Sequence, residues 1–457
     1  MRLLRTGPYE PGCEKFELIE EFGSQIPKYA ILSHTWGDDE VTYEHVRAPT
    51  AFERRLLSND SEATYEHIRD QNVRECKAYS KVVGAMRQAA SEGHEHIWID
   101  TCCIDKSSSA ELSEAINSMY AWYQKAEVCY AVLDGVPGPD AADFEVEFKA
   151  SRWFTRGWTL QELLAPKRVV FFGRLATGSW VMLGDRRSLR YLISRCTRIS
   201  SQCLRDLEEL DDASADIAQK MSWAAGRETT REEDLAYCLL GLFSVNMPLL
   251  YGEGPRAFMR LQEEIMKISD DRSIFAWMHE PSQDALECGF EQRISYEHLR
   301  DSELREVNHT RPAFEGLDPK TLLLWVDTSH GLLADSPKAF RNSGGVGRWP
   351  NSFTKQLPYH MTNRGLSISL PLKPMSEDAS QKLYLADIGC RLLSPLNDEE
   401  ESGEGAPICV YLKRKGSPGV DQFARIRCEK LAWIPEEDTF TRAWGELTGI
   451  FVRQSDT

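Results

Sequence analysis

The sequence predicts an α/β fold: a parallel sheet with flanking helices, then a mostly helical extension and a β-rich C-terminal domain. Three observations carry this prediction. Short apolar runs alternate with segments of helical spacing between residues 28 and 172, which implies a parallel sheet covered on both faces. Residues 174–277 read as mostly helical. After about residue 280 the pattern changes to period-two alternation broken by turn-rich segments, the signature of a separate β domain. The boundaries read 1–173, 174–279 and 280–457, and a chain of 457 residues holds two or three such cores.

The elements follow in order. "KYAILSHTWG" (28–37) opens with an apolar run, Tyr29 to Leu32, and stops at polar residues and Gly37. It reads as a buried strand whose carboxyl end carries Ser33, His34 and Trp36. Residues 74–92 have helical spacing, and "HIWID" (96–100) is a second buried strand ending at Asp100. In "SSAELSEAINSMYAWYQKA" (108–126), Ser108 and Glu111 suit a capping box ahead of the stripe Leu112, Ile116, Met119, Tyr123. "EVCYAVLDG" (127–135) and "RVVFF" (168–172) are the third and fourth strands. Between them lies "GWTLQELLAP" (157–166), a helical segment stopped by Pro166. Further on, Thr230 and Glu233 suit a second capping box before "DLAYCLLGLF" (234–243). "YGEGPRAFMRLQEEIMKI" turns at its glycines, then sets Phe258, Leu261, Ile265 and Ile268 on one side. In the last third "GLSISLPL" (365–372) places Leu366, Ile368, Leu370 and Leu372 on one face, and "LYLADI", "ICVYLKR", "FARIRC" and "GIFVR" are further strands. The acidic stretch 397–407 reads as a solvated loop.

Composition narrows the function. A net charge of −17 argues against duplex DNA or an anionic membrane surface, both of which need basic patches. Twelve cysteines include no C-x-x-C pair, so neither zinc spacing nor a disulfide framework is expected, and no metal is assigned. There is no signal-peptide core and no apolar run of membrane-spanning length, which points to a reduced, cytoplasmic compartment. Phosphate-cradling glycine loops of the G-x-x-x-x-G-K-[ST] and G-x-G-x-x-G kinds are missing. A Cys103–His34 nucleophilic pair finds no support in the spacing.

In an open parallel sheet ligands bind beyond the carboxyl ends of the strands. Two polar clusters fall there: Ser33-His34-Thr35-Trp36-Gly37 and Asp100-Thr101-Cys102-Cys103-Ile104-Asp105. Turn formation and helix capping account for such residues equally well. What marks the region is a third feature, Glu162, four residues from Trp158 on the same helical face. A carboxylate there is either solvated, paired with Arg156 or Lys167, or held against an indole for chemistry.

"YAILSHTWG", "HIWIDTCCIDK" and "RGWTLQELLAP", in this order, resemble the three blocks of the fungal heterokaryon-incompatibility (HET) domain. The resemblance continues in "MSWAAGRETTREEDLAYCLLGLFSVNMPLLYGEG" and "RLQEEIMKISDDRSIFAW", pieces similar to an extended form of such proteins. A weaker resemblance joins these residues to TIR domains. "YAILSHTWGDD" is similar to the TIR first strand and its Gly-acid-acid loop, "IWID" to the second strand, and "SRWFTRGWTLQELL" to the S-x-W-C-x-x-E-L segment, with Thr159 where Cys is usual. This likeness implies a TIR/flavodoxin-like sheet and puts Glu162 in the place of the glutamate that cleaves NAD. Ser33, His34, Trp36, Gly37, Asp100 and Asp105 at the strand ends, with Trp158 beside Glu162, become candidates for holding NAD.

The chemistry is consistent with one carboxylate. Ordinary glycosidases need two, because a sugar leaving group must be protonated. Nicotinamide leaves ribose as a neutral amine, so only the oxocarbenium charge needs stabilising, and one anion in a poorly hydrated pocket does that or captures the ribose. The expected function is therefore cell-death signalling in fungal non-self recognition, with NAD+ a substrate and no cofactor. Activation by self-assembly is expected, as is a non-self partner protein. The alternative is a non-catalytic interaction module that signals by oligomerising.

Overall fold

A computed structural model describes residues 1–7, 16–21, 23–37, 40–47, 77–205, 215–279, 330–348, 357–374, 382–392, 407–415, 421–426, 428, 431–433 and 447–454. The chain divides into two compact units. The first comprises Met1–Leu210 with Arg227–Leu250, the second Asp211–Gly226 with Tyr251–Thr457. The segment 174–279, read from sequence as one helical extension, is thus shared between them.

The first unit is mixed α/β. Its strands are β1 (Arg2–Arg5), β2 (Leu18–Glu20), β3 (Ala30–His34), β4 (His96–Trp98), β5 (Val128–Asp134), β6 (Val169–Arg174) and β7 (Trp180–Asp185). They form one sheet in the order β2-β1-β4-β3-β5-β6-β7. β4, β3, β5 and β6 run parallel; β1 and β7 are antiparallel additions at either side. All five residues of β3 are buried, as are six of the seven in β5. Such strands need two covering layers, which explains the unbroken apolar runs in their sequence.

The covering helices are α1 (Tyr43–Arg47), α2 (Lys77–Ser91), α3 (Asp100–Cys103), α4 (Ser109–Lys125), α5 (Phe144–Ala150) and α6 (Thr159–Leu164), followed by α7 (Arg190–Thr197) and α8 (Ser201–Arg205). α1 and α2 lie between β3 and β4, α3 and α4 between β4 and β5, α5 and α6 between β5 and β6. The chain steps from β3 outward to β4, then back across β3 to β5. The carboxyl ends of β3 and β5 therefore flank a topological switch point, where open α/β sheets bind their ligands.

Three elements differ from the sequence reading. β7 falls inside the stretch expected to be helical. A tight Thr177-Gly178-Ser179 turn, with Gly178 at φ 83°, folds it back on β6. The capping box on α4 is half made: Ser108 accepts from the Glu111 amide, while the Glu111 carboxylate goes to Arg2 and to the Asp105 amide. No cap forms at Thr230. The stretch 234–243 instead makes α10 (Asp234–Tyr237) and a 3-10 turn, Gly241–Phe243, counting α9 (Ile217–Ala224) of the second unit before it. Gly241 sits so near α4 that a Cβ would lie 2.0 Å from Cβ of Tyr120, and regular helix is given up there for this approach.

The second unit is β-rich. Its strands are β8 (Val346–Arg348), β9 (His360–Thr362), β10 (Gly365–Pro374), β11 (Leu383–Leu392), β12 (Pro407–Lys415), β13 (Gln422–Ile426), β14 (Ala432–Trp433) and β15 (Leu447–Val452), and β10, β11, β12, β13 and β15 pair in a ring, since β11 also pairs β12. The sheet is barrel-like, with every neighbour pair in the ring antiparallel except β13–β15. Leu366, Ile368 and Leu370 of β10 alternate inward as expected, and the alternation fails at Pro371, leaving Leu372 half-buried. On α11 (Arg256–Ile268) Phe258, Leu261 and Ile265 are buried, whereas Ile268 at the final residue is exposed. Most of the acidic stretch 397–407 lies outside the described residues.

Candidate functional site

Successive strand residues face opposite sides of a sheet, and the end of β3 uses this to feed two polar clusters. Ser33 belongs to one. Its hydroxyl donates to Oε2 of Glu162 and accepts the Trp153 indole N–H at 2.8 Å. Ser33, Trp153 and Glu162 are all buried. The Tyr123 hydroxyl of α4, which donates to the Leu32 carbonyl at 3.1 Å, completes the surroundings.

His34 belongs to the other cluster. Its Nε2 lies 3.1 Å from Oδ1 of Asp100, and the Trp36 indole N–H donates to Oδ2 at 2.8 Å. Both oxygens of Asp100 are thus engaged. Behind His34, Lys81 of α2 donates to Glu40 and to the Thr35 carbonyl, and the Gly37 amide donates to Glu40 at 2.7 Å. Nδ1 of His34, 3.9 Å from Glu40, is buried and has no hydrogen-bond partner among the described residues. The side chain of Trp36 is partly exposed. Nζ of Lys106 sits 3.2 Å and Cζ of Arg156 5.3 Å from its ring centre.

The two carboxyl groups are pushed in opposite directions. Burial raises Glu162 to about 8; the Ser33 hydrogen bond opposes this, Asp100 adds to it, and Arg156 and Tyr123 oppose it more weakly. Burial acts on Asp100 in the same sense, but the hydrogen bond from His34 and the charge of Lys106 hold it well below the usual carboxylate range. One acid stays ionised while its neighbour holds a proton near neutral pH, a division that in active sites assigns acid and base roles.

The turn that delivers Glu162 is fastened from far along the chain. The buried Arg227 donates from Nη1 to the Arg156 carbonyl and to Oγ1 of Thr159, both at 2.8 Å. Burial lowers its guanidinium to about 10. The Gly157 amide donates to the Glu228 carbonyl at 2.8 Å and the Glu228 amide to the Thr155 carbonyl at 2.7 Å. Position 157 must be glycine for this: a Cβ there would sit 2.5 Å from Cγ2 of Thr229.

Ser33 with Glu162, and His34 and Trp36 with Asp100, are brought together as the sequence suggested, and the solvated alternative for Glu162 is excluded by its burial. The other candidates sit apart. Asp105 spends its carboxylate on the Ser107 amide and hydroxyl in a turn. Trp158 stands half-buried at the position before α6 and makes no cap with its side chain, and the indole that reaches the cluster is that of Trp153. Asp38 and Asp39, the acidic pair of the expected loop, lie outside the described residues. The thiol of Cys103 is buried and raised to about 12 by that burial, which leaves it inert as a nucleophile. Sequence reasoning misses Trp153, Tyr123, Glu40, Lys81 and Arg227 as site residues. Only Trp153 carries a signal, its place in the same "SRWFTRGWTLQELL" segment as Glu162. Among the described residues no group of three or more His, Cys, Asp or Glu is placed to hold a metal ion.

Residues 29–141, which include both polar clusters at the strand ends, match the family described as heterokaryon incompatibility protein (HET). Over these residues the chain is similar to a HET domain. Glu162 and Trp158 lie past the end of the matched segment. Residues 256–388 match a domain of unknown function, DUF8212. The chain is 42% identical over 252 residues to vegetative incompatibility protein HET-E-1 of Podospora anserina, a match covering 53% of this chain and 16% of that protein. No solved structure matches the chain. No helix among the described residues is long and apolar enough to cross a membrane.

Proposed function

We propose that this chain acts in heterokaryon incompatibility by cleaving NAD+ to nicotinamide and ADP-ribose, with Glu162 as the catalytic residue. The observation that carries the reading is the pairing of Glu162 with Ser33 at the switch point, beside an ionised Asp100. The order β4-β3-β5-β6 of the parallel strands also suits a TIR-like, flavodoxin-like sheet.

In this mechanism Ser33 and Trp153 fix the carboxyl in place. Ionised Glu162 stabilises the positive charge that develops on ribose as neutral nicotinamide departs with the electron pair of the broken C–N bond; water then adds at that ribose carbon and gives up a proton to solvent, which completes ADP-ribose. The positive pyridinium of the substrate favours that ionised form, as Arg156 does in the free protein. A carboxyl titrating near 8 is largely protonated in the cytoplasmic range, which suits a resting state that awaits assembly, and self-association is part of the proposal. Death signalling and recognition of a non-self partner are part of this proposal, and the likeness to a vegetative incompatibility protein of Podospora supports the incompatibility role alone.

One observation favours a second reading. A buried carboxyl held protonated between Ser33 and Tyr123 also serves as a structural tie, in which case the domain signals by oligomerising without catalysis. Incubating the purified full chain with NAD+, alone and tethered at high local density, and following nicotinamide release separates the two. Release that disappears in Glu162→Gln supports cleavage. Its absence from the wild type under every assembly condition favours the module, and release that survives the substitution removes Glu162 from the mechanism.

A further inference from the structure

We infer that Lys106 and Arg156, gathered on the indole of Trp36, form a rim that binds the diphosphate of a nucleotide. This deepens the cleavage reading above and rests on it for the identity of the reacting bond, though the rim has its own geometry and its own test.

In a chain of net charge −17 an anion needs local donors, and two cations share one ring here, at 3.2 and 5.3 Å from its centre. Among the described residues neither forms an ion pair. Asp100, whose charge acts on Lys106, is engaged through both oxygens by His34 and by Trp36 itself. Their remaining contacts with the ring are cation–π contacts on a partly exposed indole, which are weak and readily exchanged for a phosphate oxygen. Lys106 is an exposed residue and Arg156 a half-buried one, although the Lys106 ammonium is partly desolvated and lowered by that from its ordinary value.

Position adds to charge. Lys106 follows β4 and α3, Trp36 follows β3, and Arg156 opens the turn into α6, so all three stand at the strand ends where the fold places ligands. Arg156 is near enough to Glu162 to favour its ionised form. A nucleotide held by its phosphates at Arg156 therefore has its ribose on the Glu162 side. A forked guanidinium and a compact ammonium around one ring suit two adjacent phosphates better than a single carboxylate. Two cations are far too few for a nucleic acid strand.

The test uses the full chain and ADP, which carries the diphosphate but no bond to nicotinamide. Calorimetric titration is expected to give equal ADP affinity in the wild type and in Glu162→Gln. Affinity should fall by about tenfold or more in Lys106→Gln and in Arg156→Gln, with adenosine failing to bind. Inorganic pyrophosphate should compete with ADP, assigning the affinity to the phosphates; failure to compete, no ADP binding by the wild type, or unchanged affinity in both folded cation variants overturns the rim. The two readings fall separately. Nicotinamide release with an unchanged KM in Lys106→Gln sinks the rim and spares the cleavage reading. ADP binding that depends on the cations, with no nicotinamide release from any sample, sinks the cleavage reading and spares the rim.

Discussion

Replacing Glu162 by Gln changes how stability depends on pH, and the size of the change follows from the burial of the carboxyl. The folded chain raises this group from 4.5 to about 8, while the unfolded chain returns it to its ordinary value. Between those values the folded state keeps a proton that the unfolded state releases. The group's contribution is therefore fully present below the ordinary value and is lost as pH rises through about 8. Each unit over which the two states differ by one proton is worth about 1.4 kcal/mol, so the loss between pH 5 and pH 9 is about 4 kcal/mol. Glu162→Gln removes this loss and keeps an acceptor for Ser33. Urea unfolding of both proteins at pH 5, 7 and 9, followed by tryptophan fluorescence, measures the difference directly, because every other titrating group is shared. Glu162→Gln should gain on the wild type by about 4 kcal/mol over that range. A gap between the two proteins that stays constant with pH would mean a hydrated carboxylate, and the site as described would be wrong.

If ionised Glu162 is the working form, kcat/KM for NAD+ rises with pH through about 8; a fall over the same range in a pH–rate profile would make it a proton donor instead. Trp153→Phe deletes the indole N–H given to Ser33 and should cost about 1–2 kcal/mol in thermal or urea unfolding, while an unchanged midpoint would show that the hydrogen bond contributes nothing. Gly157→Ala meets Cγ2 of Thr229 and should destabilise by roughly 1–3 kcal/mol. Adding Thr229→Ser, which removes that methyl, should recover most of the loss, and a failure to recover would place the strain elsewhere. Cys103, buried with its thiol raised to about 12, should resist iodoacetamide in the native protein at pH 8, and rapid labelling would contradict its burial.

The parallel core is legible in the sequence because each strand has to be buried on both faces. Tyr29–Leu32, "HIWID", "EVCYAVLDG" and "RVVFF" are apolar runs of strand length, and they form β3 to β6. The site is half legible. The placement of ligands at strand ends points to Ser33, His34 and Asp100 from the order of residues alone. The partner of Glu162 is not readable that way, since Ser33 is 129 positions away, and Trp153, which donates to Ser33, is 120 positions from it; only the folded sheet joins them. Helical spacing favours Trp158 because it weighs near neighbours alone. β1 and β2 escape notice because Arg2–Arg5 and Leu18–Glu20 are too short to show periodicity. β7 is hidden behind a tight turn whose one local sign is Gly178. Closure of the second sheet through β11 and β12 depends on pairing between strands, which local pattern does not encode.

The fastening of residues 155–159 by Arg227 and Glu228 also sets an order of completion. All seven strands of the first sheet have left the ribosome by residue 185, yet the peptide that seats Glu162 gains its anchor more than forty residues later, after the stretch 211–226 that belongs to the other unit. A chain that stops short of Arg227 lacks the guanidinium and the two backbone hydrogen bonds that hold the peptide leading to Glu162.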